Sequence, residues 1–115
     1  HKNLAYAGPN FKKATIEDNK VEVEFANTGK GLISVDQQPL NWFAIAGADE
    51  KFVPAKAEIK NNIVIVSSDE IQSPKYVRFG WNEAAQPNLF NKEGLPAVPF
   101  STDENDAPKE KPLAF

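Results

Sequence analysis

Few residues in this chain could do chemistry. Five serines, Ser34, Ser67, Ser68, Ser73 and Ser101, are the candidate hydroxyl nucleophiles, and the one histidine is His1 at the chain end. A serine nucleophile needs an imidazole base held against its hydroxyl, usually on a sharp Gly-x-Ser-x-Gly turn. No serine here lies in that motif, and His1 reads as a terminal residue left by cloning or cleavage. Paired carboxylates are the glycosidase alternative. The 16 acidic residues mostly alternate with apolar ones or sit in turns, which is the pattern of a solvated sheet face. Asp103, Asn105 and Asp106 partly match a calcium loop, but the loop glycine is missing and Ala114 stands where a bidentate Glu is needed. There is no cysteine, so thiolate metal sites and disulfides are excluded. The expectation is a chain with no catalytic set, no metal and no cofactor.

Three other residues have types suited to recognition. Arg78 is the only arginine and sits in the apolar run Val77-Arg78-Phe79, next to Trp81. It either points outward from an alternating strand or acts as a forked donor. In the second case it would tie residues 82–103, or a neighbouring domain, through a carboxylate or carbonyls. Trp42 and Trp81 could stack on a sugar ring; equally, both could be core or interface residues.

The elements that position these residues follow from composition and periodicity. The 115 residues are enough for one domain with a real core. Net charge is −3 and twelve of the thirteen basic residues are lysine, which argues against a nucleic-acid reader. No apolar run approaches the ~18 residues of a membrane span. The dominant period is two. Val21-Glu22-Val23-Glu24-Phe25 alternates apolar and charged residues, and Asp18-Asn19 ahead of it can turn a hairpin. Asn61-Asn62 is a second hairpin signal, before the apolar run Ile63-Val64-Ile65-Val66. Pro54 places its strand at a sheet edge, or starts it after the proline.

Turns recur every ~8–12 residues, as in a sandwich or barrel. The reading is an all-β, antiparallel β-sandwich of about seven strands, Ig-like or jelly-roll-like. Val21, Val23, Phe25, Ile45, Ile63, Ile65, Val77 and Phe79 are the expected core. Residues 1–103 form the domain. Within it, 82–103 reads as a long, proline-rich packed loop bearing Leu89, Phe90, Leu95, Val98 and Phe100, and 104–115 reads as a charged tail or linker.

One ordered set of motifs carries a family resemblance. It comprises Phe43-Ala44-Ile45-Ala46-Gly47-Ala48-Asp49, Val64-Ile65-Val66-Ser67-Ser68, Val77-Arg78-Phe79-Gly80-Trp81, Asn88-Leu89-Phe90-Asn91 and Gly94-Leu95-Pro96-Ala97-Val98-Pro99-Phe100. This set resembles the C-terminal end of sialate O-acetylesterases, and Lys2-Asn3-Leu4 with Gly8-Pro9 looks like the join after their catalytic domain. Ser101 departs from the pattern, since relatives often carry a basic residue there. The resemblance implies a non-catalytic β-sandwich whose partner is an SGNH-type serine esterase domain of the same parent, and an exported protein. The serine and histidine of that esterase would lie upstream and outside this chain. Arg78, Trp81, Leu89, Phe90, Asn91, Leu95 and Phe100 are then the candidates for the domain interface. A carbohydrate-binding module using Trp42 or Trp81 is the alternative.

Overall fold

A computed structural model describes residues 8–81 and 85–103. The expected tail at 104–115 lies outside the described residues. Ten strands run in chain order: β1 (Asn10–Glu17), β2 (Lys20–Ala26), β3 (Leu32–Ser34), β4 (Phe43–Ala46), β5 (Val53–Pro54), β6 (Lys56–Lys60), β7 (Ile63–Ser67), β8 (Tyr76–Phe79), β9 (Leu89–Asn91) and β10 (Phe100–Ser101). They build one four-stranded sheet in the order β1-β2-β7-β6, a second in the order β10-β8-β4-β5, and a two-stranded β3-β9 ribbon. Every pairing is antiparallel, as in a β-sandwich.

Local sequence explains the joints. Asp18, at φ 55°, opens the two-residue β1–β2 turn. Asn61 and Asn62, at φ 52° and 67°, close β6 onto β7 with the doubly left-handed geometry that matches strand twist. Pro54 has no N–H to give, and it ends β5 at the open edge of the second sheet. From there the chain passes through Ala55 into β6 at the edge of the first sheet.

The core lies between the sheets. Val21, Val23, Phe25, Ile45, Val77 and Phe79 are buried, as the alternation requires. Ile63 and Ile65 are not: Val64 and Val66 are the fully buried pair on β7. The reason is register. Val23 faces Val64 and Val21 faces Val66, and directly paired residues share a face. A run of four apolar residues has no parity of its own, so β2 sets it. Ile63 and Ile65 therefore lie outward, in register with Glu24 and Glu22 on one side and Lys60 and Glu58 on the other. Long charged side chains flank these half-buried isoleucines.

Residues 85–103 are more ordered than a loop. They contribute β9 to the ribbon and β10 to the second sheet. Phe100 pairs with Phe79, which pairs in turn with Phe43. The Phe100 ring stacks on Phe11 at 4.7 Å and meets Phe25 edge-on at 5.8 Å. One ring thus joins side chains of both sheets, and aromatic pairs of this kind add ~0.5–1.5 kcal/mol each beyond burial.

Candidate functional site

Phe43 and Phe79 face the core, so their neighbours Ala44 and Arg78 lie on the outer face of the second sheet. Register places Pro54, Ala44, Arg78 and Ser101 in one row across that face. Ala44 is small, and the long Arg78 side chain extends past it to Phe52. The guanidinium carbon lies 3.8 Å from the Phe52 ring centre. A cation held over an aromatic face at this range contributes ~0.5–1 kcal/mol, more where water is excluded.

Trp42 and Trp81 complete the site. An open cleft of about 390 Å³ is lined by Asn41, Trp42, Phe43, Ala44, Phe52, Val53, Pro54, Arg78 and Trp81. Trp81 is half-buried and Trp42 is 41 % exposed. Trp42 has φ 66°, a left-handed backbone that is a genuine outlier for a bulky residue. Three hydrogen bonds hold it there. Asn41 N donates to Asn88 Oδ1 at 3.1 Å, Asn88 N donates to Asn41 Oδ1 at 3.0 Å, and Gly80 N donates to Trp42 O at 2.9 Å. Gly80 is itself at φ 62°, which costs a glycine little.

Behind this clamp lies a polar knot around the buried Asn88, open to solvent at Asp36. Asn88 is 3 % exposed, and its Nδ2 donates to Asp36 Oδ1 at 2.9 Å and to Pro39 O at 3.0 Å. Asp36 also accepts from Gln38 N at 3.0 Å and from Ser34 Oγ at 3.1 Å. These donors, the Gln38 amide foremost, hold the Asp36 carboxyl below its ordinary range. Asn41 and Asp36 were not singled out from the sequence, and Asn88 stood there only as part of a motif. Asn41 directly precedes an outlying tryptophan, but that signal appears only once the backbone is known.

The other candidates fall elsewhere. Leu89 is fully buried and Phe100 is a core ring, so neither is available to a neighbouring domain; burying their own apolar surface takes precedence. Asn91 is buried and shapes the following turn, its Oδ1 accepting from Glu93 N at 3.1 Å and Leu95 N at 3.0 Å. Phe90 and Leu95 are half-buried, and Val98 is 43 % exposed. This strip adjoins the start of the described chain: Val98 N donates to Pro9 O at 2.8 Å. Gly8 lies so close to Pro96 that a Cβ there would overlap the Pro96 carbonyl oxygen. Arg78, Trp81 and Trp42 share one cleft; the Phe90–Leu95–Val98 strip is not part of its lining.

The single histidine, His1, lies outside the described residues, so no serine–histidine geometry is described. Among the described residues no three His, Cys, Asp or Glu side chains gather as a metal site would require.

No protein-family model matches the chain, and no curated protein sequence does. Among solved structures it is similar to XAC1771, described as a novel carbohydrate acetylesterase from Xanthomonas citri. The identity is 39 % and the TM-score 0.82, over 90 % of this chain. The same alignment covers 24 % of that enzyme, so the chain spans about a quarter of its length. On this fold and this likeness, the chain is a β-sandwich domain similar to about a quarter of a carbohydrate acetylesterase.

Proposed function

We propose that this chain is an accessory domain at the C-terminal end of a sialate O-acetylesterase-like enzyme, with no hydrolytic chemistry of its own. The observation that carries the reading is the match of nine-tenths of the chain to a quarter of an acetylesterase. The nucleophilic serine and its histidine base would belong to an SGNH-type domain of the same polypeptide. That domain would remove acetyl groups from sialic acid in an exported protein. It would join beside Gly8 and Pro9, where Phe90, Leu95 and Val98 offer apolar surface for it to cover.

The test is to express the full open reading frame that encodes the chain, with and without residues 8–103, and follow acetate release from O-acetylated sialic acid. The expected result is release by the full product and a lower melting temperature on deletion. A full product with no serine–histidine hydrolase domain would overturn the reading.

A further inference from the structure

We infer that the cleft lined by Trp42, Phe52 and Trp81 binds a neutral hexopyranose, a glucose- or galactose-type residue of a glycan, by stacking an indole on the C–H face of the sugar ring. This goes beyond the accessory role, because it gives the domain a ligand of its own.

Four observations converge on it. The first is the contrast between the two outer faces. On the first sheet, Lys13, Glu24, Ile63 and Lys60 form one register row, a mixed-charge face suited to water. On the second sheet the cleft gathers two indoles and a phenyl ring. The second is the conformation of Trp42. A left-handed backbone at a bulky, 41 % exposed residue is unfavourable locally, yet three hydrogen bonds hold it. Strain of this kind gathers at binding sites, where the surroundings over-determine it. An indole so fixed offers its electron-rich ring to the weakly positive C–H groups of a sugar and loses little entropy when it binds.

The third is the make-up of the lining. Among its described residues, Asn41 carries a side-chain amide and Arg78 a guanidinium, and the others are apolar or aromatic. A neutral sugar calls for that combination: aromatic surface for the ring and a few fixed polar groups for its hydroxyls. Asn41 supplies one such group. Its Oδ1 accepts from Asn88 N at 3.0 Å, which fixes the amide and leaves Nδ2 as the donor to a ring hydroxyl. Arg78 need not take part. Phe52 and a further partner hold its guanidinium, so it stands as a wall of the cleft. The fourth is size. A cleft of about 390 Å³ is at the small end of the ~300–1,000 Å³ typical of ligand sites, suited to one sugar residue and not to a folded partner.

The chain has two tryptophans, and both line the cleft, so two indole N–H signals report on it directly. The experiment is a titration of the ¹⁵N-labelled chain with cellobiose, lactose and sorbitol, an open-chain polyol with a hexose's hydroxyls and no ring face. The expected result is saturable movement of the two indole signals by at least one disaccharide, in the millimolar range typical of single-sugar contacts, and none by sorbitol. Movement by lactose alone assigns galactose; movement by cellobiose assigns glucose. The affinity should change less than about twofold between about 20 and about 500 mM salt, because the ligand is uncharged. Trp42→Gly should abolish binding while the dispersed amide spectrum of the fold remains, because glycine accepts the left-handed backbone. Trp42→Tyr, which keeps an aromatic face of smaller area, should weaken binding about 2- to 10-fold whether or not the glycine variant folds. The inference is overturned if neither disaccharide gives saturation up to about 50 mM, if sorbitol moves the indoles equally, if affinity falls steeply with salt, or if Trp81 reports unchanged affinity in either Trp42 variant. If the cleft ignores both disaccharides while the full gene product still releases acetate, this inference fails and the accessory reading stands.

Discussion

Arg78 and Phe52 meet across a strand that belongs to neither of them. Arg78 lies on β8, Phe52 immediately precedes β5, and β4 runs between these strands. The guanidinium crosses β4 over Ala44, its own register partner, to reach 3.8 Å from the ring centre. Any larger residue at position 44 would stand in its way. The pairing therefore depends on a small residue in the middle of the face and an arginine long enough to pass it.

This contact should be measurable as a coupling. In a double-mutant cycle with Phe52→Leu and Arg78→Lys, followed by urea denaturation, the interaction energy is expected at about 0.5–1 kcal/mol. Strictly additive single effects would mean that the ring and the guanidinium do not hold each other.

Trp42→Gly gives up the packing of an indole that is more than half covered, and relief of the left-handed penalty offsets only part of that, so a net loss of about 1–2 kcal/mol is expected. Urea midpoints at constant slope are the readout. A rise in stability would show that the backbone penalty outweighs the packing of the indole.

Asn88→Ala should be among the costliest polar substitutions. It removes the Nδ2 donations to Asp36, Gln38 and Pro39 and the Oδ1 acceptor for Asn41 N at a residue only 3 % exposed. Losing these part-buried hydrogen bonds is expected to cost about 1–2 kcal/mol. The same variant should free the Trp42 loop, visible as faster amide exchange at Asn41 and Asn88. Unchanged exchange would argue against the clamp.

Asp36 sets a pH dependence of definite sign. Its folded carboxyl titrates below the ordinary 3.8, because Gln38 N, Asn88 Nδ2 and Ser34 Oγ donate to its charged form. Its contribution is therefore present above the unfolded value and lost as the pH falls through the lower folded value. Melting temperature should fall on acidification below about pH 4, and it should fall less in Asp36→Asn. Equal acid sensitivity in both proteins would exclude this carboxylate as the cause.

The sequence made some of this legible and concealed the rest for physical reasons. Alternation in β2 showed which of its residues face inward, and paired asparagines marked the β6–β7 turn. The run Ile63-Val64-Ile65-Val66 carries no alternation, so only pairing with Val21 and Val23 could decide its parity. Prolines at 87, 96 and 99 made residues 82–103 read as loop, yet three residues of β9 and two of β10 fit between them. Leu89 and Phe100 were legible as apolar, but whether they covered this domain or another depended on where the chain turned back. For Arg78, the outward reading and the forked-donor reading describe different properties of one side chain. It points away from the core and is held there by a ring that no local spacing connects to it.

The central claim is that this domain serves an acetylesterase without hydrolysing anything itself. The most direct measurement is acetate release from O-acetylated sialic acid by the purified 115-residue chain, shown to be free of any second polypeptide. The account expects no release above the uncatalysed background. Release at enzyme-like rates would contradict it, and would mean that His1 or a carboxylate pair performs chemistry for which the described residues provide no site.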